Sequence, residues 1–265
     1  MPRPITVTYR VLASPAATAR AAAQLFSDAA VKAATDRGIA RIAISGGTTP
    51  KSMFQLLADP AEPFLQHVPW DRIELYWVDE RCVPPDHAES NYRMTREALL
   101  SKVPLPPEQV HRMEGELEPE VAAARYESVI RNTFKLEGAQ TPTFDLILLG
   151  MGDDGHTASL FPHTDALNEM SHIVVPNHVP QKDAWRITLT WPVINQGREV
   201  AFLIEGEEKA QVLHDVFLNP YQPDTYPSQI IRPASGQLML LLDWAAAAKL
   251  PAPKDSDSTG TLELR

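Results

Sequence analysis

Phe144 to Pro162 reads FDLILLGMGDDGHTASLFP, an apolar run that breaks into a glycine-rich turn carrying Asp153, Asp154 and His156. Histidine titrates near neutral pH, and a nearby carboxylate orients its ring, so these are the residue types of a general acid/base unit. A buried strand that ends in glycines presents polar groups at the carboxyl edge of a sheet, where open α/β folds place their ligands. The remaining histidines have no comparable setting and read as surface or packing residues.

Three more segments carry candidate chemistry. Ser45-Gly46-Gly47-Thr48-Thr49-Pro50 follows a short strand. Its glycines admit close backbone approach, Thr49 suits a helix N-cap and Pro50 the first helical turn. Such a turn aims N–H groups and hydroxyls at an anion, although an ordinary strand-to-helix turn has the same composition. It is not a Walker A loop. Asp79-Glu80-Arg81 ends another apolar strand. Arg81 suits gripping a phosphate or stabilising an oxyanion. Asp79 and Glu80 suit binding sugar hydroxyls or orienting Arg81. A surface salt-bridge cluster is the plain alternative. Asn91 either opens a helix or faces the site. Cys82, beside Arg81, reads as a small packing residue. Lys209 stands in the first turn of a helix behind Glu207 and Glu208, where the macrodipole disfavours a cation. It reads as serving an anion or as a solvated lysine, and Arg186, opening the strand Arg186 to Thr190, has the same standing.

Two competing chemistries are weaker. Gly150-Met151-Gly152-Asp153-Asp154-Gly155 matches the dinucleotide pattern G-x-G-x-x-G. Two aspartates would then face a pyrophosphate, and the next strand, Ile173 to Val175, ends without an acidic residue for a ribose. A metal site from Asp79, Asp154 and His156 lacks ligand spacing, and no G-x-S-x-G elbow supports a serine nucleophile.

The elements that position these residues alternate between strand and helix, which predicts a mostly parallel, twisted α/β sheet with helices on both faces. Strands are expected at Ile5 to Leu12, Arg41 to Ser45, Ile73 to Asp79, Phe144 to Leu149, His172 to Val175, Arg186 to Thr190, Glu199 to Ile204 and Leu238 to Leu242. Helices are expected at Ala16 to Ala34, with Ser14 as N-cap and Gly38 as terminator, and from Thr49 to about Ala58. Others are expected at Ser90 to Leu100, Glu120 to Leu136, Glu207 to Leu218 and Trp244 to Lys249. No linker divides residues 1–250, which read as one domain, and residues 251–265, rich in Pro, Asp, Ser and Thr, read as a disordered tail.

The 265 residues are 44% hydrophobic, enough for a substantial core, and carry a formal net charge of −10. That charge disfavours nucleic-acid binding. No stretch is long and apolar enough for a membrane span, and the N-terminus has no signal-peptide core. A single cysteine excludes an internal disulfide and fits a reducing, cytoplasmic compartment.

SGGTTP (45–50), WVDERCVPPDHAESNY (77–92), LGMGDDGHTASLFP (149–162), RITLTWPVIN (186–195) and GEEKA (206–210), in this order, resemble the 6-phosphogluconolactonase family, which is related to the glucosamine-6-phosphate deaminases. The resemblance covers nearly the whole chain except the tail. It implies a Rossmann-like fold and hydrolysis of 6-phospho-D-glucono-1,5-lactone, a small-molecule sugar phosphate, with no metal or organic cofactor, by a chain expected to be a monomer or a weak homo-oligomer. It implies His156 as the base, Asp154 as the carboxylate fixing its ring, and Arg81 or backbone N–H groups at the oxyanion. Ser45, Gly46, Gly47 and Thr48 would cradle the phosphate, with charge from Lys209 and Arg186, while Asp79 and Asn91 complete the substrate site. Deaminases carry a glutamate where this chain has Phe161, which favours the lactonase over a deaminase. A non-catalytic sugar-phosphate sensor is the remaining alternative.

Overall fold

The computed structural model describes residues 4–253 and 259–264. Its main sheet has eight strands in the order β11-β1-β10-β9-β6-β2-β3-β5. These are β1 (Ile5–Leu12), β2 (Ala40–Ile44), β3 (Ile73–Trp77), β5 (Val110–His111), β6 (Leu146–Leu149), β9 (Glu199–Ile204), β10 (Gln237–Asp243) and β11 (Thr259–Leu264). Every neighbouring pair is parallel except β1 with β11. The expected Rossmann-like α/β architecture is therefore present.

Side-chain alternation explains why the sheet is buried on both faces. In β6, Leu146 and Leu148 join one core while Ile147 and Leu149 join the other. In β2, Ile42 and Ile44 face the first and Ala43 the second. The first core is closed by α1 (Pro15–Arg37) and α2 (Thr48–Leu57), through Phe26, Met53, Phe54 and Leu57. The second is closed by α5 (Pro119–Phe134) and α7 (Ala210–Leu218), through Tyr126, Ile130, Leu213 and Phe217. Short helices α3 (Phe64–His67), α4 (Asn91–Thr95) and α6 (Trp191–Ile194) complete the set. Each fully buried Leu or Ile of β6 contributes roughly 1.5–3 kcal/mol relative to exposure. Ser14 caps α1 by accepting from Ala17 N–H, and Gly38, at φ 84°, ends it.

Several boundaries differ from the sequence reading. The strand expected at Ile73 to Asp79 divides at Val78. The Val78 N–H donates to Ile44 O of β2 at 2.9 Å, and its carbonyl accepts from Leu189 N–H at 2.8 Å. Beyond it, β4 (Asp79–Arg81) belongs to a second, antiparallel sheet with β8 (Ala184–Leu189) and β7 (Val174–Val179). Alternation alone could not reveal the change of sheet, because both halves are buried. Thr49 is not an N-cap: α2 begins at Thr48 behind Gly47, and Thr49 Oγ1 instead donates to Glu205 Oε2 at 2.9 Å. The final helix is only a 3₁₀ turn at Ala246–Lys249. Within the stretch read as a disordered tail, residues 259–264 form β11, whose Leu262 and Leu264 alternate into the core against β1. Composition hid this strand, since polar residues occupy its outer positions. Residues 254–258 and 265 of that stretch lie outside the described residues.

Candidate active site

The site lies at the carboxyl ends of β2 and β6, adjacent parallel strands whose onward connections run to opposite sides of the sheet, as the switch-point rule expects. A small cavity there is lined by Ser45, Gly46, Asp79, Arg81, Asn91, Gly150, His156, Thr157 and Ala158. A larger groove, about 970 Å³, runs along α5 and β7 and contains none of these residues.

The turn after β6 positions His156. Gly152 N–H donates to His156 O at 2.9 Å, Gly155 N–H to Gly152 O at 3.0 Å, and Thr157 Oγ1 to Gly150 O at 2.8 Å. No helix follows, so the G-x-G-x-x-G segment does not make a dinucleotide turn. Asp154 Oδ1 lies 2.5 Å from His156 Nδ1 and also accepts the His156 backbone N–H at 3.1 Å. Burial pushes the Asp154 carboxyl up, but these hydrogen bonds and the imidazole charge outweigh it and leave it below the usual value. The Phe161 ring stacks on the imidazole. A Cβ on Gly152 would fall 2.0 Å from His156 Nδ1, so only glycine leaves room for the ring. Ala158, at φ 48°, holds a strained left-handed conformation on the cavity wall.

The loop after β2 faces this turn. Gly47, at φ 117°, precedes α2 with no side-chain cap, which leaves the first N–H groups of α2 open. Ser45 is buried, and its Oγ has no hydrogen-bond partner among the described residues. Unmatched donors at a helix N-terminus beside an unpartnered hydroxyl are groups suited to an anion. Lys209 Nζ reaches across to pair with Asp153 of the histidine turn.

The second sheet supplies the opposite wall. Arg81 of β4 stands directly across the ladder from Arg186 of β8. Neither guanidinium has a carboxylate within ion-pair distance among the described residues. Arg81 Nη1 donates to Glu89 O at 2.5 Å and Arg186 Nη1 to Trp185 O at 3.2 Å. Burial, then the charge of Arg81, lowers the pKa of Arg186. Asp79 Oδ2 accepts from Ser159 Oγ at 2.7 Å.

Glu80 neither faces the cavity nor pairs with the Arg81 side chain. It is buried and accepts from the N–H groups of Arg81, Asn91 and Tyr92, each at 2.8 Å, and from Ser90 Oγ at 3.1 Å. It thus caps α4 from a neighbouring strand. Burial raises its carboxyl above the usual value, against the pull of the three N–H groups. Burial is the chief cause that pushes the Cys82 thiol up to about 11. Sequence reasoning missed Ser159 and Asn177. Asn177 Nδ2 donates to Ser159 O at 2.8 Å and Thr164 Oγ1 at 3.0 Å, bracing the histidine turn from β7. Only the polar residue inside an apolar strand signalled it. No group of three or more His, Cys, Asp or Glu side chains among the described residues is arranged to hold a metal, and no helix is long and apolar enough to cross a membrane.

A family model described as glucosamine-6-phosphate isomerases/6-phosphogluconolactonase matches residues 13–240. The chain is 43% identical over 221 residues to a 6-phosphogluconolactonase of Synechocystis, covering 83% of this chain and 88% of that one. A 6-phosphogluconolactonase of Nostoc is 42% identical over 225 residues, covering 84% and 88%. The solved 6-phosphogluconolactonase from Trypanosoma cruzi has a TM-score of 0.79 at 32% identity, covering 91% of this chain and 96% of that chain. A solved monomeric glucosamine-6-phosphate deaminase, at 18% identity and a TM-score of 0.75, shares the fold.

Proposed function

Because the chain belongs to the glucosamine-6-phosphate isomerase/6-phosphogluconolactonase family, we propose that it hydrolyses 6-phospho-D-glucono-1,5-lactone to 6-phospho-D-gluconate with His156 as general base. The observation that carries this reading is the Asp154–His156 contact of 2.5 Å beside a cavity lined by Ser45, Gly46 and Arg81. Asp154 holds Nδ1, which leaves Nε2 as the ring nitrogen for a water. In the neutral imidazole, Nε2 takes the proton as the water oxygen bonds to the lactone carbonyl carbon. The carbonyl oxygen becomes an alkoxide, stabilised by Arg81 or by N–H groups of the glycine-rich turns. When the ring C–O bond breaks, the imidazolium returns its proton to the leaving ring oxygen. Such acid/base help is worth about 10²- to 10⁴-fold.

The 6-phosphate sits at the mouth of α2, against Ser45, Gly46, Gly47 and Thr48, with charge from Lys209 and Arg186. Asp79 and Asn91 complete the wall that meets the sugar. The test is lactone hydrolysis by the purified protein, with lactone formed in situ from glucose 6-phosphate and followed against its spontaneous rate. A large acceleration in wild type that disappears in His156→Ala supports the reading. Equal rates in the two proteins sink the assignment of the base, and no acceleration by wild type sinks the lactonase.

A further inference from the structure

The side-chain amide of Asn91 has a fixed direction. Its Nδ2 donates to Asp79 O at 3.0 Å and to Asp79 Oδ1 at 3.4 Å. A backbone carbonyl and a carboxylate are both acceptors. Turning the amide round would set its oxygen against two others, so the hydrogen-bond network itself assigns Nδ2 and Oδ1. Oδ1 lies on the opposite side, above Gly46, where a Cβ on that glycine would fall 1.8 Å from it. Gly46 and Asn91 both line the cavity beside His156. Among the described residues, the hydrogen bonds of the Asn91 side chain are those two donations, and Oδ1 accepts none.

The fixing is thorough for an atom with no partner of its own. Asn91 is buried, and its backbone N–H is gripped by Glu80 at 2.8 Å. Glu80 also takes the Tyr92 N–H and Ser90 Oγ, so the first turn of α4 cannot rotate the side chain away. Asp79, which holds Nδ2, is itself pinned by Ser159. Oδ1 is not among the sealed, unpartnered side-chain atoms of the described residues, so it stays open to the cavity, where a donor can reach it.

We infer that Asn91 Oδ1 accepts a hydrogen bond from a ring hydroxyl of the substrate and takes no part in holding the phosphate. A phosphate dianion has no proton to give and would be repelled by a carbonyl oxygen, whereas a sugar hydroxyl donates readily. The inference rests on the lactonase reading and deepens it. The open N–H groups of α2 and the nearby cations serve the anion, and Asn91 reads the ring. Glu80 and Asp79 are positioning residues that act through it. A site built around such an acceptor discriminates strongly against a substrate that lacks the hydroxyl.

The test sets wild type and Asn91→Ala against the parent lactone and its 2-, 3- and 4-deoxy forms, with inorganic phosphate as a competitive inhibitor. Wild type is expected to lose about 10-fold or more in kcat/KM on one deoxy lactone. Asn91→Ala should show that loss on the parent lactone and little further loss on the same deoxy form. The phosphate inhibition constant should be equal in the two proteins. A variant that loses one common factor on every substrate, or that binds phosphate more weakly, overturns the inference. If Asn91→Ala does not fold, wild type alone decides: equal kcat/KM on all three deoxy forms and the parent overturns it. Failure of wild type to hydrolyse the parent lactone overturns the lactonase reading and this inference together, whereas hydrolysis without hydroxyl dependence overturns this inference alone.

Discussion

The His156 imidazole and the Phe161 ring lie face to face, centroids 3.9 Å apart and planes inclined by 19°. Asp154 fixes the imidazole at Nδ1, and Phe161 fixes its plane. The two contacts together leave the ring one orientation. An aromatic contact of this kind is worth about 0.5–1.5 kcal/mol. Phe161→Leu should therefore lower kcat by roughly 3- to 10-fold with KM unchanged, and Phe161→Tyr should stay near wild type. Steady-state kinetics on the lactone checks this. A rise in KM with constant kcat would assign Phe161 to substrate binding instead.

Two glycine-to-alanine changes should separate the kinetic parameters. In Gly46→Ala the new Cβ meets Asn91 Oδ1, and in Gly152→Ala it meets His156 Nδ1. The first disturbs the wall proposed to bind substrate and should raise KM about 10-fold or more, with the smaller effect on kcat. The second displaces the proposed base, His156, and should lower kcat by about 10²-fold or more. Identical patterns from the two variants would refute the division of the site into a binding loop and a catalytic turn.

Lys209 is paired with Asp153 beside the proposed phosphate site. Exposed pairs of this type are worth about 0–1 kcal/mol, so an incoming dianion can compete for the ammonium. Lys209→Ala should raise KM with kcat nearly constant, and Asp153→Asn should leave KM equal or lower. An unchanged KM in Lys209→Ala removes this residue from the phosphate site.

Glu169 gives a stability prediction with a definite sign. Its carboxylate accepts from the His172 and Ser171 N–H groups and from Ser171 Oγ, with the His172 imidazole 3.1 Å away. The backbone bond from His172 leads in holding its pKa down to about 2, from 4.5. A depressed carboxylate stabilises the fold above its unfolded value and loses that contribution as pH falls through the folded one. Glu169→Gln should melt below wild type at neutral pH, and the gap should close between about pH 4.5 and 2. Parallel melting curves across that range, with a constant gap, contradict it.

The sequence made the sheet and the two glycine loops legible for a physical reason. Apolar alternation reports burial, and glycines with short polar residues report the turns that end each strand. Asp154, His156, Ser45 and Gly46 were therefore placed at the right edge from local pattern. The second sheet was not visible, because the crossing at Val78 is a matter of which partner takes its carbonyl. Glu80 was misread for the same reason. A charged residue beside Arg81 suggests an ion pair, whereas Glu80 takes the Arg81 backbone N–H, the Ser90 hydroxyl and the N–H groups of a helix that begins eleven residues later. The strand at 259–264 escaped notice because half of its residues are polar and face outward.

That last strand also bears on how the chain acquires its fold. β1 is paired on both sides, in parallel with β10 and antiparallel with β11. The first of the described strands thus has the last two as its neighbours. Until residues 237–243 and 259–264 emerge, Val7, Tyr9 and Val11 have no sheet to join. The inner strands β2, β3 and β6 have no such delay. The central sheet can assemble during synthesis, and this side of the sheet closes only after β10 and β11 have emerged.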